Sequence, residues 1–76
     1  MKETNIRTLY DVQQVLKQFG IYVYVGKRIW DIELMALELD RLYHEQVIDQ
    51  PTFITCKLVL NREHELEKKK AGIIDG

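Results

Sequence analysis

The sequence predicts an all-α, three-helix bundle with a central second helix and an extended connector between helices 1 and 2. Three observations predict it. Residues 30–47 carry two apolar stripes at helical spacing, residues 9–19 carry one clean apolar arc between helix start and stop signals, and Asp49-Gln50-Pro51 opens a third helical pattern. A surface helix needs one stripe, so two stripes imply neighbours on two sides and make helix 2 the post of the domain.

Residues 1–7 are polar and are expected to form a loose terminus. Thr8 followed by Asp11 fits a capping box, in which the threonine oxygen accepts the N3 amide and the carboxylate reaches back. Helix 1 then covers residues 9–19, with Leu9, Val12, Val15, Leu16 and Phe19 on its arc and Tyr10 off it, hence partly exposed. Gly20 can adopt the left-handed conformation that ends a helix.

The next segment, IYVYV at residues 21–25, alternates aliphatic and tyrosine side chains as an extended chain does. No second strand pattern exists to pair with it, so it is either a connector packed across the helices, the favoured reading, or an edge that pairs with another molecule. Trp30, Leu34 and Leu37, the narrower stripe of helix 2, offer its aliphatic side a surface. The broader stripe comprises Ile29, Ile32, Met35, Ala36, Leu39, Leu42, Tyr43 and Val47. Acidic lines that include Asp31, Glu33, Glu38 and Asp40 separate the two.

Helix 2 is expected to end near Gln46, with Ile48 capping the core as the chain turns. Pro51 falls in the first turn of helix 3, where its missing amide costs nothing. The short intervening turn makes helices 2 and 3 antiparallel neighbours. Phe53, Cys56, Val59 and Leu60 form the main arc of helix 3, with Leu66 further along. Ile54 and Leu58 lie off that arc. Residues 61–70 become charged, Glu65 is placed to pair with Lys69, and the last turns are expected to project into solvent. Ala71-Gly72 ends the helix, and residues 71–76 are expected to be mobile.

Seventy-six residues make one domain, near the size at which a single core needs a staple. The lone Cys56 cannot form an internal disulfide, and two isolated histidines show no metal-ligand spacing, so no metal or cofactor is expected. Packing must hold the fold alone or be shared with a second copy. The lone cysteine and the lack of an apolar leader suggest a cytoplasmic setting, and the longest apolar run is too short to span a membrane. Eleven Lys and Arg face twelve Asp and Glu, so no global basic field attracts polyanions, and any nucleic-acid site must be a local patch.

The chain resembles the YqgQ-like family of small bacterial proteins. The resemblance rests on Tyr10-Asp11-Val12-Gln13-Gln14, the connector Tyr22-Val23-Tyr24-Val25-Gly26, Arg28, Asp31-Ile32-Glu33-Leu34-Met35, Glu38 and Leu42-Tyr43. It spans roughly residues 10–48, with nothing shared recognised beyond Arg62. It implies a compact three-helix fold and suggests single-stranded nucleic-acid binding.

The residues themselves point to residues 22–30 as the candidate site. Single-stranded nucleic acid needs cations along its phosphates and flat rings on which bases stack. Tyr22 and Tyr24 supply rings, Lys27 and Arg28 supply charge at the mouth of helix 2, and Lys17 extends the patch from helix 1. The amides and positive dipole end of helix 2 add an anion site. The plainer reading makes the tyrosines covers for a small core, Trp30 a core residue and the Lys-Arg pair merely solvated. A helix-turn-helix is weaker, because helix 3 begins with only Thr52, Thr55 and Lys57 for DNA contact and helix 2 is acidic.

The alternative function class is a protein-interaction or self-assembling structural module, in which Ile54 and Leu58 form an exposed strip for a protein partner or a homodimer. An enzyme is not expected. The chain has no serine, Cys56 lies on an apolar arc, and neither His44 nor His64 has a neighbour to orient it.

Overall fold

A computed structural model describes residues 5–70 of the chain. Three helices, α1 (Leu9–Lys17), α2 (Arg28–His44) and α3 (Gln50–Lys70), form the expected all-α arrangement, and the described residues contain no strand. Residues 1–4 and 71–76, including the expected Ala71-Gly72 stop, lie outside the described residues. Within the expected loose terminus, Ile6 packs against the core and the Arg7 carbonyl accepts a hydrogen bond from the Arg62 guanidinium.

The start of α1 follows its sequence signal. The Asp11 amide donates to Thr8 Oγ1 at 3.2 Å, while Asp11 Oδ2 accepts from the amides of Thr8 and Arg7 at 3.0 and 2.9 Å. Those amides hold the Asp11 carboxyl below its ordinary value. The regular helix stops at Lys17, two residues before Phe19, because the chain already tightens into a Schellman turn. The Ile21 amide donates to the Leu16 carbonyl and the Gly20 amide to that of Lys17, with Gly20 at φ +76°. Phe19 is left partly outside, and Tyr10 is exposed as its position predicts.

The α2–α3 turn repeats the device without a glycine. Amides of Val47 and Gln46 donate to the carbonyls of Leu42 and Tyr43, with Gln46 at φ +62°. Ile48 closes the core, and Asp49 Oδ1 accepts from the Thr52 amide at 3.0 Å to start α3.

Val12, Leu16, Ile32, Met35, Leu39, Cys56 and Leu60 form the fully buried centre. Tyr43 stacks on Phe53 with ring centroids 4.2 Å apart, joining the α2 and α3 sides of that core. Burial raises the Cys56 thiol to about 11. Three bridges set the antiparallel register of α2 and α3: Arg28 to Glu67 at 3.0 Å, His64 to Glu33 at 2.8 Å and Lys57 to Asp40 at 2.7 Å. The later turns of α3 therefore lie alongside the start of α2 instead of projecting freely, and Glu65 meets Lys68 at 3.9 Å.

The expected cover of the second stripe of α2 is not found. The narrow stripe of α2 stays largely uncovered within the described chain: Trp30 is 55% exposed, Leu34 39% and Leu37 64%. The connector's Ile21 and Val23 pack on the main core instead, and only Val25 comes beside the stripe. The reason is geometric. The chain reverses at Gly20, with the Ile21 amide on the Leu16 carbonyl, so Ile21 and Val23 leave the end of α1 against the main core.

Candidate nucleic-acid interface

The alternation of the connector is realised as far as Tyr24, whereas Val25, expected on the inner side with Ile21 and Val23, is exposed. Ile21 and Val23 point inward, while Tyr22 and Tyr24 are 71% and 83% exposed. Those two rings, with Lys17 and Gln13 from α1, flank a groove of about 280 Å³ floored by Leu16, Ile21, Val23 and Met35. Lys17 reaches this groove because it occupies the last turn of α1, immediately before the Gly20 reversal. The structure thus brings together three of the five residues singled out from the sequence.

Lys27 and Arg28 stand apart from that groove. Lys27 is the N-cap residue of α2 and makes no side-chain cap; its Nζ lies 5.2 Å from the centroid of the Trp30 ring. Arg28 turns toward α3, where Nε meets Glu67 at 3.0 Å and Nη2 meets Glu63 at 3.4 Å. It faces two carboxylates, which also meet Arg62 and Lys70 at 3.6 Å, and half of its side chain remains exposed. Both acids lie 35 or more positions away in the chain, so local sequence offered no sign of them.

Sequence reasoning also missed Asp31. In sequence it belongs to the acidic lines that separate the two stripes of α2, but it is only 6% exposed, and its Oδ1 accepts from the Val25 amide at 2.6 Å. That bond, together with Gly26 at φ +99°, folds the connector back onto the first turn of α2 and positions Tyr24. An amide donor arriving from a loop leaves no pattern in side-chain periodicity.

Trp30 is a correction of another kind. The plainer reading placed it in the core, whereas it is a half-exposed ring beside a cation. Ile54 and Leu58 are exposed, as the strip reading of α3 anticipated, and Leu66 is exposed as well. Among the described residues no helix is long and apolar enough to cross a membrane.

The fold and this surface define a small three-helix domain with an aromatic, partly cationic groove. The chain belongs to the YqgQ-like family, whose pattern it matches over residues 6–66. It is 43% identical over 67 residues to the uncharacterized protein YqgQ of Bacillus subtilis (strain 168), covering 88% of this chain and 92% of that one. The likeness therefore continues through most of α3, well past residues 10–48.

Proposed function

We propose that this protein binds single-stranded nucleic acid, RNA or DNA, without strong sequence preference, in the cytoplasm. The observation that carries the reading is the groove between α1 and the connector, where Tyr22 and Tyr24 present exposed ring faces beside Lys17. Bases stack on such rings irrespective of their identity, each contributing about 1 to 3 kcal/mol, and the lysine neutralises a phosphate. Lys27 supplies a further cation at the entrance of α2. Arg28 is engaged with Glu63 and Glu67 of α3 and stands apart from the groove, so it contributes less than Lys17.

The formal charge of −1 makes the interaction local and weak. Fluorescence anisotropy with labelled single strands at low and physiological salt tests it. Saturable binding that weakens with salt is expected. Tyr24→Ala should lower affinity by roughly five- to 150-fold, the equivalent of one stacked base. Lys17→Ala should reduce the salt slope by about 0.7, the value for one phosphate of a single strand, while Arg28→Ala reduces it less. Absence of binding at low salt, or binding indifferent to Tyr22, Tyr24 and Lys17, refutes the reading.

A further inference from the structure

The groove between α1 and the connector holds one polar group that ring stacking and charge leave unused. Gln13 lines it beside Lys17, half-buried, and its carboxamide has no hydrogen-bond partner among the described residues. A glutamine side chain offers an acceptor oxygen and a donor NH2 group next to each other in one plane. We propose that the groove takes a single adenine nucleotide, whose N6 and N7 edge is read by Gln13 while Lys17 holds its phosphate. The proposal rests on the reading of Tyr22, Tyr24 and Lys17 as a nucleic-acid site and adds to it a preference at one position of the bound strand.

Size, spacing and charge fit this occupant. The groove encloses about 280 Å³, against roughly 300 to 1,000 Å³ for sites that take small organic ligands, so it admits one base with its sugar and not two. Its floor of Leu16, Ile21, Val23 and Met35 is apolar and suits the face of a base, not a charged group. Gln13 and Lys17 lie one turn apart on the same face of α1, about 6 Å along its axis. In a nucleotide the N7 edge of a purine is on the side of the 5′-phosphate, so one molecule can meet both residues. Lys17 meets no carboxylate among the described residues, whereas Arg28, Arg41, Lys57 and Arg62 each do, so its charge is available to a phosphate.

The edge selects the base. Adenine sets a donor at N6 beside an acceptor at N7, which a carboxamide matches with two hydrogen bonds. Guanine sets two acceptors there and leaves the glutamine oxygen unpaired; the pyrimidines have no N7 at all. In a single strand this edge is free of a partner strand and open to side chains. The remaining bases of a bound strand stay unread, so a mixed sequence shows little net preference.

Chemical-shift titrations of the isotope-labelled protein with AMP, GMP, CMP and UMP test the base, and anisotropy with labelled oligoadenylate and oligouridylate tests the strand. AMP should bind tightest of the four and move the side-chain amide resonances of Gln13. Gln13→Ala, with its helical circular dichroism retained, should weaken AMP about fivefold or more, the lower end for a bidentate pair, and should level the four nucleotides. The 7-deaza analogue of AMP, which lacks the N7 acceptor, should lose as much affinity for the parent protein. Lys17→Ala should weaken all four alike. Equal affinity for the four nucleotides, or an adenine preference that survives Gln13→Ala, overturns the proposal, and 7-deaza-AMP bound as tightly as AMP overturns the N7 edge. Strands that bind through Tyr22, Tyr24 and Lys17 with no difference between oligoadenylate and oligouridylate leave the stacking site standing and remove the adenine site. AMP bound through Gln13 without any strand binding does the reverse and makes the ligand a free nucleotide.

Discussion

Asp31 Oδ1 accepts the amide hydrogen of Val25 at 2.6 Å, and this bond ties the connector to the helix that follows it. The carboxylate is nearly buried, yet it sits in the first turn of α2, where helix amides favour negative charge. Asp31→Ala leaves the Val25 amide without its partner and should cost about 1 to 3 kcal/mol in urea unfolding. Asp31→Asn keeps an acceptor oxygen and should cost less. Because the same bond positions Tyr24, the alanine variant should also bind single strands more weakly while it remains folded. Equal stability of Asp31→Ala and the parent would remove this role.

Gln46 occupies the left-handed region at φ +62°, in a turn of the kind that Gly20 makes after α1. A side chain there costs roughly 1 to 2 kcal/mol, part of which glycine gives back through its freer unfolded chain. Gln46→Gly should therefore stabilise the protein by about 0.5 to 1 kcal/mol, raising Tm by about 2 to 8 °C. A thermal melt that moves downward would mean that the Gln46 side chain makes a contact worth more than the strain.

These two residues mark the boundary of what sequence reveals. Thr8 with Asp11, Gly20 and Asp49 act over three or four positions, so their roles could be read directly, and the arcs of α1 and α2 identified Val12, Leu16, Met35 and Leu39 as core. Periodicity, however, reports that Trp30, Leu34 and Leu37 share a face without saying what meets that face. The ion pairs of Arg28 and the burial of Asp31 depend on chain segments brought together only by the fold. In the groove, Tyr22 and Tyr24 were legible from alternation and Lys17 from its place before Gly20. The separation of Arg28 from them was not.

The Asp11 carboxyl is held below its ordinary 3.8, first by the Arg7 amide and then by that of Thr8. A carboxylate whose value is depressed on folding stabilises the native state above its unfolded value, and that contribution is lost as pH falls through the folded one. Helix content should thus decline on acidification below that ordinary value, and Asp11→Asn should shrink the decline, since asparagine has no charge to lose. Circular dichroism against pH for the two proteins tests this, and superimposable acid profiles would sink the idea.

Cys56 is fully buried on α3, and burial alone moves its thiol to about 11. Two barriers then protect it: little thiolate exists at neutral pH, and no reagent reaches the sulfur without local opening. A disulfide reagent such as dithionitrobenzoate should react slowly with the native protein and rapidly in urea. The native rate should follow the equilibrium population of the open form, so Asp31→Ala should accelerate it and Gln46→Gly should retard it to the extent that each changes the stability of that region. The thiol thereby serves as an internal gauge of core opening, read without any label. Fast, stoichiometric reaction of the native parent protein would place Cys56 at an accessible surface and contradict the packing of α3 against Met35 and Leu39.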